Sequence, residues 1–420
     1  MKNTDPRRIA FEVMNAVREE DAYVNLLLPA ILRERKVDTR DSALATELTH
    51  GTIRLQGIYD AIIDRLSKNT VEPKVRDVLR LGAHQLLSMR IPDHAAVDTT
   101  VKLTRAVIGH KPAGFVNAIM RKIAQRDLDA WLEQLTKGLS GDAALAMRYS
   151  HPEWIVTRLR EAVGSERIEA LLAAHNERPK VTLVARPGLI EAADLPGEPG
   201  VLSPYARVLE SGDPGAIEAV RDGRAGVQDE GSQMVALVAA EQAVEGTDTQ
   251  WLDLCAGPGG KAALWGALAA QRDAEVVANE LQSHRADLVR SSVQALDNVE
   301  VVSFDGRFGP WGDAPFDRVL VDAPCSGLGA LRRRPESRWR KSESDIVGLT
   351  GLQEELLRAA IAYTRAGGVV AYATCSPVLA ETSGVVEKVI DDRVTLESEH
   401  RWWPDTDGTD AMFLAILRVS

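Results

Sequence analysis

Three cysteines, Cys255, Cys325 and Cys375, are spread through 420 residues. Each stands where an apolar, β-branched-rich run meets a polar or Gly/Pro break: WLDLC, FDRVLVDAPC and GGVVAYATC. A thiol at the end of a strand can act as a nucleophile, ligate a metal, or fill a small apolar space. Metal ligation is disfavoured, because no Cys-x-x-Cys and no nearby His pair accompanies them, and no metal is expected. Cys325 and Cys375 are each followed by Ser with Pro close by, in Asp322-Ala323-Pro324-Cys325-Ser326-Gly327 and Ala373-Thr374-Cys375-Ser376-Pro377. That repeated arrangement is harder to ascribe to packing and makes both thiols candidates for covalent work, which needs a lowered pKa or a neighbouring proton acceptor. A thiol hydrolase lacks its base, since the nearest histidines in sequence are His284 and His400.

The first cysteine opens Cys255-Ala256-Gly257-Pro258-Gly259-Gly260-Lys261, a strand-to-helix turn whose glycines let backbone approach a ligand where a side chain would clash. A phosphate loop would need a further Gly separated by four residues from the Gly-Lys pair and Ser or Thr after that pair, and those places hold Cys255 and Ala262. Acids follow at later strand ends. Glu280 closes VVANE, Asp305 follows VVSF, and Asp322 closes VLVD. A carboxylate after the second strand suits the two hydroxyls of a ribose, although such acids also cap helices.

Soon after Cys325 comes Leu331-Arg332-Arg333-Arg334-Pro335-Glu336-Ser337-Arg338-Trp339-Arg340-Lys341. Charge runs are usually solvated faces. Six cations and an aromatic beside a candidate thiol favour binding an anionic backbone and stacking a base, with Arg332, Arg333, Arg334, Arg338, Trp339 and Arg340 as the contacts.

These groups need elements to hold them. From Gly226 onwards strands and helices alternate, which predicts a doubly wound, mainly parallel sheet with its ligand beyond the carboxyl ends of the strands. From Asp5 to about Gln125, apolar residues recur at helical spacing, as in RRIAFEVMNAVREE and VRDVLRLGAHQLLSM, which predicts an all-α bundle. Between them lies a mixed stretch. The expected division is thus a helical domain 1–127, a small α+β linker subdomain 128–225 and an α/β domain 226–420. Lys and Arg total 50 against 61 Asp and Glu, a formal net charge of −11, so a generally basic nucleic-acid coat is excluded while local basic patches are not. The low, odd cysteine count argues against a disulfide framework and for the reducing cytoplasm. No apolar stretch reaches the roughly 18 residues of a membrane span, and no secretory pattern opens the sequence.

DLCAGPGGKA, VDAPCSGLGALRRRPESRWR and YATCSP resemble the motifs of the S-adenosylmethionine-dependent RNA cytosine-C5 methyltransferases. RDSALATELTHGTIR, VRDVLRLGAHQLL and GFVNAIMRKI resemble the NusB-type RNA-binding bundle. Joined, the two are similar to the bacterial small-subunit ribosomal RNA enzymes of the Sun/Fmu type over nearly the whole chain. The resemblance implies a Rossmann-like methyltransferase domain in which Cys255 to Lys261 wrap S-adenosyl-L-methionine, Glu280 holds its ribose and Asp305 lies by its adenine. It places Asp322 near the methionine end of the cofactor and the target base, makes Cys375 the nucleophile and gives Cys325 a part in product release. Single-cysteine DNA C5 enzymes use the Pro-Cys position instead. Many members have Ala where Gly257 stands, Asp where Glu280 stands, and Ser-Ala where Glu230-Gly231 stand.

The implied reaction methylates C5 of a cytosine in 16S ribosomal RNA through a Cys–C6 adduct and leaves S-adenosyl-L-homocysteine. The cytosine is single-stranded or flipped, and the enzyme is expected to be a monomer with no membrane partner. Transfer RNA as substrate, or an RNA-binding factor with a degenerate methyltransferase domain, are the rival readings.

Overall fold

Asp5 accepts hydrogen bonds from the N–H groups of Arg7 and Arg8 and so starts helix α1 (Pro6–Glu19), with Pro6 where its missing N–H costs nothing. In the computed structural model, which describes residues 1–89, 91–312 and 315–420, this helix belongs to a unit formed by Met1–Glu177 and Leu331–Arg340. A second unit holds Arg178–Ala330 and Lys341–Ser420.

In the first unit the chain continues through α2 (Val24–Glu34), α3 (Thr39–Arg54), α4 (Gln56–Leu66), α5 (Pro73–Leu87), α6 (Asp93–Val107) and α7 (Ala113–Ile123). Helix α5 is enclosed by its neighbours, so even its polar residues are buried and paired: Asp77 with Arg18 and Arg80 at 2.9 Å, and His84 Nδ1 with the Tyr59 hydroxyl at 2.9 Å. Helices α8 (Leu128–Thr136), α9 (Gly141–Tyr149), α10 (Glu153–Val163) and α11 (Ile168–Ala174) follow in the same unit. The expected α+β stretch 128–225 is therefore divided, its helices up to Ala174 in this unit and its strands, with a short helix among them, in the other.

The second unit opens with a four-stranded antiparallel sheet in the order β2-β3-β1-β4, from β1 (Val181–Ala185), β2 (Glu198–Pro199), β3 (Ala206–Leu209) and β4 (Ala225–Val227), with the short α12 (Glu218–Arg221) before β4. Then α13 (Glu230–Glu241) leads into β5 (Gln250–Asp253), α14 (Gly260–Ala270), β6 (Glu275–Asn279), α15 (Ser283–Ser292), β7 (Val299–Val302) and β8 (Phe316–Asp322).

After Ala330 the chain leaves this unit for ten residues, ending in α16 (Ser337–Arg340). This is the basic run, and its expected role as an open RNA-stacking loop is corrected here: none of its residues from Leu331 to Arg340 is exposed. Arg338 is fully buried, donating to the carbonyls of Arg54, Ser150 and His175 at 3.0, 3.2 and 2.8 Å and to Asn176 Oδ1 at 2.8 Å. Those carbonyls lie at the C-terminal ends of α3, α9 and α11, where helices leave acceptors unfilled and carry partial negative charge. Trp339 packs on the helical core and donates to the Ile53 carbonyl at 3.0 Å. Arg340 donates to the carbonyls of Val17 and Ala22, Arg334 and Arg340 flank the Tyr23 ring, and Arg332 is buried with its carbonyl accepting from Arg54. Arg333 is half-buried. Glu336 caps the bare start of α2 by accepting from Val24 N at 3.3 Å.

The remainder, α17 (Glu343–Tyr363), β9 (Thr364–Thr374), α18 (Ser383–Val386), β10 (Val394–Trp402) and β11 (Met412–Val419), completes a seven-stranded sheet in the order β10-β11-β9-β8-β5-β6-β7. The strands from β9 to β7 run parallel, and β11 and β10 are antiparallel additions. Alternation along the strands splits the core. Val369, Ala371 and Ala373 of β9 face α13 and α14 on one side, while Val370 and Tyr372 face α17 on the other.

Candidate active site

The carboxyl ends of β5, β6 and β8 bring Asp253, Asn279 and Asp322 to one edge of the sheet. Between β5 and α14 the predicted turn is held from below. Asn279 Nδ2 donates to the carbonyls of Leu254 and Phe304 at 3.0 and 3.1 Å, while its Oδ1 accepts from Phe304 N at 2.9 Å. Gly259, at φ +108°, starts α14 in the left-handed region that favours glycine. A Cβ on Gly257 would collide with the Glu280 carboxylate and press on the Arg285 guanidinium. Arg285 donates to the Gly257 carbonyl at 2.8 Å and lies 3.4 Å from Glu280 Oε2, tying the turn to the acid.

Lys261, in the first turn of α14, reaches the β8 acid: its Nζ is 2.9 Å from Asp322 Oδ2. Burial opposes the charge on Lys261, but Asp322, and more weakly Cys375 and Asp253, hold its pKa above the ordinary value. Asp253 is wholly buried with Oδ2 lacking a hydrogen-bond partner, and burial followed by the charge of Asp322 pushes its pKa up to about 8. A carboxyl near about 4 in an unfolded chain that is raised in the folded state loses stability for the fold as pH rises through that interval, and stays protonated at neutral pH. Asp305 is engaged locally: Arg307 binds it at 2.7 and 3.0 Å, which holds its pKa below the usual range.

Asp322 lies opposite Ala373 in the parallel β8–β9 register, so the two Cys-Ser loops leave the sheet side by side. Ala323 N donates to the Ala373 carbonyl and Gly329 N to the Cys375 carbonyl, both at 2.9 Å. Cys325 Sγ and Cys375 Sγ come to 3.4 Å, a hydrogen-bonding distance, and none of the three cysteines is in a disulfide. The contact with Cys375, together with burial, pushes the Cys325 thiol well above its usual value. Burial raises the Cys255 thiol strongly too.

The structure thus brings together Asp322, Cys325, Cys375 and Lys261, and joins Glu280 to the Gly257 turn. The basic run from Leu331 to Arg340 belongs to the other unit. Sequence reasoning missed Asp253, Asn279, Arg285 and Glu381. The last is a fully buried acid that accepts from both serines next to the cysteines, and the repeated Cys-Ser pairs were the signal that could have prompted a search for it.

Residues 242–418 match the family model described as 16S rRNA methyltransferase RsmB/F, and residues 4–125 match the NusB family. The ribosomal RNA small subunit methyltransferase B of Citrobacter koseri is 33% identical, over 91% of this chain and 89% of its own. The chain belongs to the 16S rRNA methyltransferase RsmB/F family. A Mycobacterium tuberculosis protein assigned no further than to the methyltransferases is 48% identical to this RsmB/F member, over 99% of this chain and 96% of its own. Its fold is that of the crystal structure of PH0851, with a TM-score of 0.81 at 19% identity over 100% of this chain and 99% of that one. The helical unit is accordingly NusB-like and the sheet is the Rossmann-like methyltransferase fold. RsmB/F enzymes take S-adenosylmethionine, and the residues fit it. The Gly257 cradle has no room for a Cβ, and the buried Asp253 Oδ2 has no hydrogen-bond partner among the described residues. Among the described residues no helix is long and apolar enough to cross a membrane.

Proposed function

We propose that this enzyme methylates C5 of a cytosine in 16S ribosomal RNA through a covalent bond between Cys375 Sγ and C6 of the base. The observation that supports it is the pair of thiols 3.4 Å apart at the ends of neighbouring strands, beside Asp322. C5 of cytosine is a poor nucleophile, and addition of the Cys375 thiolate at C6 pushes an electron pair onto it. Lys261, within electrostatic range of Cys375, favours the thiolate. The proton given up by the Cys375 thiol, passed to N3 and held there by a hydrogen bond to the Asp322 carboxylate, offsets the charge that develops on the ring. The cofactor, when bound, supplies the methyl group from its sulfonium. Cys325 then assists removal of the C5 proton, directly or through a water. The electron pair of that C–H bond restores the C5–C6 double bond and expels Cys375 as thiolate. C6 must be open to the thiol, so the cytosine is flipped or single-stranded. The reducing cytoplasm suits two such thiols kept apart from a disulfide.

Methyl transfer is measured on 30S subunits, naked 16S RNA and transfer RNA, with bisulfite mapping of the product. Cys375→Ala is expected to lower kcat by about a thousandfold or more, and Cys325→Ala to accumulate the RNA adduct. Cys375→Ala with a normal rate, together with loss of the adduct in Cys325→Ala, would mean that the two thiols are reversed. Methylation of transfer RNA alone would overturn the substrate.

A further inference from the structure

Each active-site cysteine carries a serine on its C-terminal side, and those serines meet: Ser326 Oγ and Ser376 Oγ are 3.1 Å apart. Both donate to one oxygen of Glu381, at 2.5 and 2.6 Å, while the other oxygen accepts from Ser326 N at 2.7 Å and Gln353 Nε2 at 3.1 Å. Gln353 Nε2 also reaches the Pro324 carbonyl at 2.8 Å, and the Tyr372 hydroxyl donates to the Glu381 carbonyl at 2.8 Å. Glu381 itself is fully buried. A buried carboxylate met only by neutral donors is an expensive way to fill space, and an apolar side chain would do that better. What the carboxylate does is clamp two loops through the residues adjacent to the thiols.

We propose that Glu381 is the positioning residue of the cysteine pair, holding Cys325 and Cys375 in register through Ser326 and Ser376. The inference rests on the covalent role read above for the two thiols. It also has an electrostatic side. After the contact with Cys375 and burial, the Glu381 charge is a further cause that disfavours a thiolate at Cys325.

The test uses the full chain with S-adenosylmethionine and 16S RNA. Glu381→Ala is expected to lower kcat about a hundredfold, with KM for S-adenosylmethionine changed by no more than about twofold. Glu381→Gln keeps the shape and removes the charge, so it remains informative if the alanine variant fails to fold. It should slow methylation and move the pH midpoint of Cys325 alkylation, read by peptide mass spectrometry, to lower pH. Ser376→Ala should reproduce the kcat loss in part. Wild-type kcat in Glu381→Gln, or an unmoved Cys325 midpoint whatever happens to kcat, would overturn the proposal. The covalent reading fails separately, if the wild-type protein forms no adduct with RNA carrying 5-fluorocytosine.

Discussion

The resemblance sets Ala and Asp where Gly257 and Glu280 stand, and the geometry joins these two positions. The longer acid carries its carboxylate into the space that a Cβ at position 257 would occupy. Shortening the acid vacates that space, so each substitution is tolerable in the company of the other. Gly257→Ala alone is expected to weaken S-adenosylmethionine binding about tenfold, or about 1.4 kcal/mol, by crowding. Adding Glu280→Asp should restore most of that affinity in calorimetric titration, giving a favourable coupling in the double-mutant cycle. Losses that simply add would show that the two positions do not share the space.

At the scale of elements, three helix C-termini take the place that a carboxylate partner would hold for Arg338, because their unfilled carbonyls converge on its guanidinium. Arg338→Ala strands acceptors of α3, α9 and α11 in a dry site and is expected to cost about 3 kcal/mol. Arg338→Lys retains the charge without the planar fork and should fall between. Denaturant unfolding followed by a probe in the helical unit checks both, and an unchanged midpoint for the alanine variant would refute the role. This helix-capping arrangement was illegible in the sequence. A run of arginines looks alike whether solvated or buried, and the acceptors lie far away, the Arg54 carbonyl 284 residues before Arg338. The link from Glu381 to Ser326 was hidden for the same reason, since 55 residues separate them. The glycine turn, the strand-end acids and the two Cys-Ser loops were legible because each is written in a few consecutive residues at a change of hydrophobic period. The helical bundle was legible too, through its repeated apolar spacing.

A whole molecule of net charge −11 must attract RNA locally, against its average field. With the basic run engaged inside the helical unit, the exposed cations of α6 and α7 and the turn between them, Lys102, Arg105, Lys111, Arg121 and Lys122, are the expected phosphate contacts. Reversing Arg105, Lys111 and Lys122 together should weaken RNA binding and flatten the plot of log affinity against log salt by about 0.7 to 0.9 for each contact removed. An unchanged slope would exclude this face. The decapeptide Leu331–Arg340 also has a meaning in time. Proteins generally fold domain by domain as they leave the ribosome. Here the N-terminal 177 residues lack the indole of Trp339, the cap that Glu336 gives α2 and the guanidinium that Arg338 gives three helices. At about 5–20 residues per second, the missing piece is synthesised on the order of ten seconds later. The helical unit is thus finished only after strands β1 to β8 have been translated, and its completion is timed by the translation of the first part of the catalytic sheet.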